Sequence, residues 1–332
     1  MLYEEIGKAI DRFAGVIQYW AAYYKVEVSP SIHFTGGEPF LRDDLFDLLR
    51  HARRRGFEVS VLSNGTLITS DIARQARKAE VKDIQVSLDG MEAVHDSIRG
   101  KGAFRKALAG IRNLVTEGID TNISMTVSTL NYAEVDPLVQ FAGESGISTV
   151  GFSRLVPCGR GKGLNEYLLT PEQLFGLSQK LAKSGDGNRV AIVSRDPLMN
   201  MANIIEGTAV PQTEFPIGGC AAGVFGVTIT SDGTIMPCRR MDLPVGNIRT
   251  DDFRHLWAES PVFASLRDRQ CYNSNCRTCR YWAICRGCRA IALANARSRG
   301  REDYLSPDPQ CAHYRPAEDS VNRQSQNRQG HA

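Results

Sequence analysis

Ser31-Ile32-His33-Phe34-Thr35-Gly36-Gly37-Glu38-Pro39 reads as a short strand that stops in a glycine turn and hands over to a helix. Pro39 suits a first helical position, where its missing N–H would have no partner anyway. The same succession recurs downstream. Residues 58–62, 83–88, 122–128 and 149–154 carry strand patterns, and residues 43–55, 71–78, 104–117 and 135–144 carry helical ones between them. Several strands end in a polar or glycine-containing turn, as in Ser63-Asn64-Gly65 and Ser87-Leu88-Asp89-Gly90. Strand–helix alternation of this kind predicts a parallel sheet, and ligands of parallel β/α folds bind at the carboxyl ends of the strands. Ahead of the first strand, residues 4–24 place Ile6, Ile10, Phe13, Ile17 and Trp20 on one helical face.

Of 332 residues, 42% are hydrophobic and 23% charged, which predicts a packed core and suits two domains. A net charge of +3, without a basic stripe interleaved with aromatics, argues against a nucleic-acid partner. No apolar stretch is long enough to span a bilayer, and Met1-Leu2-Tyr3-Glu4-Glu5 is not a secretory signal, so a cytoplasmic location is expected. Residues 316–332 are polar and aperiodic and read as a disordered tail.

The last third carries Cys220, Cys238, Cys271, Cys276, Cys279, Cys285, Cys288 and Cys311. Its centre is C-x2-C-x5-C-x2-C, and Cys238 closes a G-x4-C turn from Gly233. A long chain without a secretory signal favours metal ligation over disulfides. Eight thiolates fill two four-thiolate sites, for iron–sulfur clusters or zinc; the x5 spacing is short for a zinc ribbon and favours iron. Cys158 stands apart and reads as an ordinary thiol. Flanking Ser231-Asp232-Gly233, residues 226–230 and 234–236 read as a hairpin, and residues 253–259 and 289–297 as helices.

Gly36-Gly37-Glu38-Pro39, Ser87-Leu88-Asp89-Gly90 and the cysteine array together resemble the radical S-adenosylmethionine enzymes that carry a C-terminal SPASM extension, over residues 31–313. The resemblance implies an α/β fold: a partial parallel (β/α)6 TIM-like barrel over residues 1–185, a bridging segment 186–214, and a small cysteine-rich domain 215–315. It implies that Gly36, Gly37 and Glu38 receive the amino group of S-adenosylmethionine. Ser87 and Arg99 would then hold its carboxylate, Leu155 would lie near the adenine, and Asn64 would face the cofactor pocket. Cys276, Cys279, Cys285 and Cys311 would hold an outer auxiliary 4Fe-4S cluster. Cys220, Cys238 and Cys288 would hold an inner one, with Cys271 or an open site as its fourth position. No catalytic acid or base is assigned.

The sequence departs from the family pattern twice. The last close cysteine pair is spaced x2 where the family has x3. The family's C-x3-C-x2-C loop, which holds a third cluster ahead of the Gly-Gly-Glu-Pro turn, has no counterpart, because residues 1–35 contain no cysteine. The barrel thus reads as lacking its first strand. A truncated reading of the enzyme is expected over a degenerate homologue, since the Gly-Gly-Glu-Pro turn, Ser87 and Arg99 persist. The implied reaction is hydrogen-atom abstraction from a precursor peptide or small-molecule cofactor precursor, with a ferredoxin- or flavodoxin-type electron donor. The alternatives are a non-catalytic iron–sulfur scaffold or electron carrier, and a zinc-stabilised binding module. Sulfatase maturases carry an acidic residue after the G-x4-C cysteine; Arg239 and Arg240 follow here and point instead to peptide or cofactor maturation. That pair could clamp substrate carboxylates, and Gly159-Arg160-Gly161 lies where a substrate could thread.

Overall fold

The computed structural model describes residues 1–184, 190–204 and 210–312; the expected tail lies outside them. Helix α1 (Tyr3–Tyr24) leads into β1 (Ser31–Phe34), then α2 (Leu45–Arg54), β2 (Glu58–Ser63), α3 (Ser70–Lys78) and β3 (Asp83–Ser87). There follow α4 (Glu92–Arg99), α5 (Ala103–Thr116), β4 (Thr121–Val127), α6 (Val135–Glu144), β5 (Thr149–Arg154), α7 (Pro171–Ser184) and β6 (Ala191–Ser194). The six strands pair in chain order, every neighbouring pair parallel. Strand β6 falls within the stretch read as a bridging segment; only its pairing with β5 makes four residues a strand. The sheet curls, since Arg195 after β6 reaches His33 on β1 across the lumen (3.4 Å).

The strands alternate because one face packs and the other lines a lumen. Ile84, Val86, Ile123, Met125, Val150 and Phe152 are buried against the helices. On the opposite face Ser87, Ser124 and Gly151 are register partners, a row of small residues across the lumen. The helices return the matching stripe, as in α5 with Phe104, Ala107, Ile111 and Leu114.

Helix α1 serves two cores. Ile6, Ile10, Ala14 and Ile17 join the barrel cluster, whereas Ala9, Val16 and Trp20 pack with Ile235, Ile248 and Phe253 of the C-terminal region. Phe13 belongs to both and meets Phe253 edge-on at 4.4 Å between ring centroids, a geometry worth about 1 kcal/mol beyond its buried area. One stripe of five apolar residues therefore understates this helix: small Ala9 and Val16 on the neighbouring face let a second layer approach.

That second layer is a three-stranded antiparallel sheet of β7 (Thr228–Ile229), β8 (Thr234–Met236) and β9 (Gly246–Asn247). Helices α8 (Phe253–Glu259), α9 (Pro261–Arg267), α10 (Ser274–Arg277) and α11 (Arg289–Arg297) complete it. No helix among the described residues is long and apolar enough to cross a membrane.

Candidate functional site

The sheet brings the strand-end residues to one rim. Glu38 crosses from the β1 turn to the β2 turn: Oε1 accepts from Ser63 Oγ (2.8 Å) and Phe40 N (3.3 Å), and Oε2 from Asn64 N (2.8 Å). A carboxylate has about four acceptor positions, so one is left for a further donor. Asn64 closes its own turn by accepting from Thr66 N (2.8 Å). Beside them Gly36 and Gly37 have open space where a Cβ would stand, a cradle on which a ligand can rest against the backbone.

At the end of β3, Asp89 is buried and organises the next part of the rim. Its Oδ2 accepts from Arg99 Nε (2.6 Å) and its Oδ1 from Thr126 N (3.0 Å), while Asn131 Nδ2 donates to its backbone carbonyl (3.0 Å). The Asp89 N–H donates to His95 Nδ1 (3.1 Å), so the ring proton resides on Nε2. Burial and the Arg99 charge hold His95 below its ordinary range, which keeps it neutral. Asp89 thus fixes Arg99 through Nε and leaves the two Nη groups, the fork that suits a carboxylate, without another partner among the described residues. Ser87 is half-buried in the lumen row, and Leu155 is half-buried just past β5, its N–H bonded to Val127 O (3.0 Å). Helix α4, which carries both His95 and Arg99, has no apolar stripe (its one buried residue is His95), so periodicity misses it.

Arg154, the last residue of β5, is 1% exposed and binds the barrel to the C-terminal domain. Its Nε donates to Asp196 (2.8 Å), and its two Nη groups clasp Asp308 (3.0 and 2.7 Å) and Gln310 (2.8 Å). Asp308 in turn accepts from the backbone of Cys288 (2.8 Å) and Gln310 (3.1 Å). Burial pushes the Asp308 carboxyl up, but the Arg154 charge and these hydrogen bonds outweigh it and hold the group below its ordinary range. One buried carboxylate therefore steadies a turn beside Cys288 and another beside Cys311.

Cys276, Cys279, Cys285 and Cys311 line one cavity with Trp282 and Asp308. Cys220, Cys238 and Cys288 pack on a different apolar cluster formed by Ala222, Met241, Ala290 and Ile291. These seven cysteines thus lie in two separate surroundings. Cys271 joins neither cavity nor cluster: it is exposed on a short 3-10 turn (Arg269–Cys271), its thiol bonded to Asp268 (3.4 Å).

The x2 spacing of Cys285-Arg286-Gly287-Cys288 is accommodated by two successive left-handed residues, Arg286 at φ 62° and Gly287 at φ 59°. A Cβ on Gly287 would meet Asp308 Cβ at 2.6 Å, so the tight loop lies directly on the buried carboxylate. Arg286 folds back to donate to Cys220 O (2.6 Å), and Gly287 N–H donates to Cys285 Sγ (3.3 Å). Gly219 lets Cys220 approach, since a Cβ there would fall 2.3 Å from Cys285 O.

The residues fit anionic clusters. Arg289 is fully buried, and its Nε and Nη2 have no hydrogen-bond partner; the buried Trp282 Nε1 is likewise unpaired. Cys276 and Cys220 both act electrostatically on Arg289. A buried guanidinium with two unpaired nitrogens is costly unless negative charge and acceptors stand beside it, and a thiolate-bound iron–sulfur cluster supplies both. Among the described residues no three Cys, His, Asp or Glu side chains converge tightly enough for a single metal ion. Four-iron clusters hold their thiolates on a wider tetrahedron.

These features define a curled parallel β/α barrel with a polar rim, over which a thiolate-rich domain is docked. Residues 4–142 match the Radical SAM superfamily and residues 220–280 the SPASM iron–sulfur cluster-binding domain. An AdoMet-dependent heme synthase of Methanosarcina barkeri is 33% identical over 296 residues, covering 86% of this chain and 83% of that protein. The mycofactocin maturase MftC of Mycolicibacterium smegmatis is 30% identical, covering 84% and 70%. The solved structure of anSMEcpe with bound AdoMet and Cp18Cys peptide has the same fold, with a TM-score of 0.70 at 21% identity over 98% of this chain and 91% of that one. The chain belongs to the radical S-adenosylmethionine superfamily, in the branch that carries a SPASM domain.

Proposed function

We propose that the protein is a maturase that modifies a cofactor precursor or a precursor peptide, with S-adenosylmethionine on the barrel rim and two auxiliary 4Fe-4S clusters in the C-terminal domain. One observation carries this reading. Glu38, Asn64, Asp89 and Arg154 stand at the ends of neighbouring parallel strands, and Arg154 is clasped by Asp308 beside Cys288, so a cofactor site and a cluster site share one scaffold. Heme synthases and mycofactocin maturases among the relatives support the two substrate classes.

When bound and reductively cleaved, S-adenosylmethionine supplies a 5′-deoxyadenosyl radical that removes a hydrogen atom from substrate. The chain's own residues orient it. Gly36 and Gly37 offer backbone, and Glu38 one acceptor, to the ammonium group. Arg99 presents a fork to the carboxylate, and Ser87 a hydroxyl beside it. Leu155 would line the adenine side of the site, and Asn64 its edge. Arg239, exposed, and Arg240, half-buried, lie by the inner thiols and suit an anionic substrate. A ferredoxin- or flavodoxin-type protein delivers electrons.

A second reading, an iron–sulfur scaffold or electron carrier, is favoured by one fact: both groups of thiols stand in the C-terminal region, and the scaffold role needs no other part of the chain. One assay separates the readings. The chain, together with any in-frame coding sequence upstream of Met1, is loaded anaerobically with iron and sulfide, reduced, and followed for 5′-deoxyadenosine. Formation of the nucleoside, with S-adenosylmethionine binding weakened at least about tenfold in Arg99→Ala, is expected; a lost fork is worth about 1.5–3 kcal/mol. Clusters without nucleoside or binding would leave the second reading.

A further inference from the structure

A four-iron cluster needs four terminal ligands, and the inner group supplies only Cys220, Cys238 and Cys288. Two further thiols are available. Cys271 is exposed, and its thiol bonds to Asp268. Cys158, in contrast, packs on the same apolar cluster, beside Val156 and Met241, as the three motif cysteines. Its position is set by backbone rather than by a loose loop: its N–H bonds to Val156 O (2.8 Å), and Gly161 N–H bonds to its own carbonyl (2.8 Å).

We propose that Cys158 is the fourth thiolate of the inner auxiliary cluster, completing the set of Cys220, Cys238 and Cys288. Residue 158 follows β5, so the cluster is ligated jointly by the barrel and the C-terminal domain. It then sits at the barrel rim with all four irons closed to substrate, which suits electron transfer rather than substrate ligation. The assignment rests on the reading of the array as two iron–sulfur clusters.

Alkylation of the iron-loaded full chain by iodoacetamide under anaerobic conditions, mapped by peptide mass and repeated after chelation of the iron, tests it without mutation. Iron-bound thiolates are not available as nucleophiles. Cys158 should therefore react on the order of tenfold or more slowly in the loaded protein, together with Cys220, Cys238 and Cys288, whereas Cys271 should react alike in both states. Protection of the three motif cysteines but not of Cys158, or protection of Cys271 in its place, would overturn the assignment and leave the clusters standing. Loss of protection at all of them, with no bound iron, would sink the cluster reading and this proposal with it. The loaded Cys158→Ala protein gives a second readout. Its inner cluster should lose about one iron of four or bind added cyanide, seen as a changed paramagnetic resonance spectrum, while Cys271→Ala should match the unmodified protein. A Cys158→Ala spectrum identical to that of the unmodified protein, with or without cyanide, would also overturn it.

Discussion

Arg154 is the side chain on which the two halves of the molecule depend. It is desolvated completely, and two carboxylates balance it, each hydrogen-bonded. Removing one partner of such a group leaves charge buried without compensation, which costs about 3–5 kcal/mol. Arg154→Met should lower the denaturation midpoint accordingly, and Arg154→Lys, which keeps the charge but loses the fork, should fall between. A result within error of the unmodified protein would mean that the backbone donors to Asp196 and Asp308 compensate these carboxylates without the guanidinium. Gly287 makes a second residue-scale prediction. Gly287→Ala adds a Cβ 2.6 Å from Asp308 and a left-handed backbone cost of about 1–2 kcal/mol. The variant should retain less iron after reconstitution, because Cys285 and Cys288 flank the strained loop. Full iron content would show that the loop can re-thread.

Elements decide how the layers meet. Helix α1 is the wedge between barrel and C-terminal sheet, and Glu5 near its start is clamped by Arg249 after β9 (2.6 Å). That hydrogen bond, with one from the Leu2 backbone, pulls the Glu5 carboxyl from 4.5 to about 2. A carboxylate with a depressed folded pKa stabilises above its unfolded value, and the contribution disappears as pH falls from 4.5 towards 2. Glu5→Gln should therefore show a shallower loss of melting temperature over that window, and the difference should shrink in high salt because the pair is solvent-exposed. Equal slopes in both proteins would remove Glu5 from the acid transition. Apolar period and turn chemistry made some elements legible in the chain and left others hidden. Helices α1, α5, α6 and α8 follow their apolar period, and β1 to β5 follow alternation and turn chemistry. Helix α4 and strand β6 did not announce themselves: α4 buries one histidine, and β6 is half-exposed and held by its neighbour.

At the scale of the whole molecule, two groups of thiols placed on one side of a barrel predict a metal count. Protein isolated without oxygen should carry about eight irons with matching sulfide if both auxiliary clusters are filled, against about two zincs if the array is a zinc module. Elemental analysis decides between them, and substoichiometric iron restored by anaerobic reconstitution still supports the clusters. Zinc that resists exchange for iron would withdraw the cluster assignment and the proposed electron path with it.

Strand–helix alternation and glycine turns are local properties written over a few residues, and they were enough for the parallel sheet and its rim turns, whereas the grouping of the cysteines came from the family resemblance and not from their spacing. Tertiary structure alone decided the rest. Arg154 meets Asp308 across 154 positions, although a charged residue in the apolar row Val150, Phe152 was a sign that a buried partner existed. Cys158 read as an ordinary thiol because its neighbours in sequence hold no ligand, yet the end of β5 carries it to three cysteines more than sixty positions away. Buried charge and the meeting of distant thiols depend on which surfaces desolvate one another, and that is set only when barrel and C-terminal domain pack around α1.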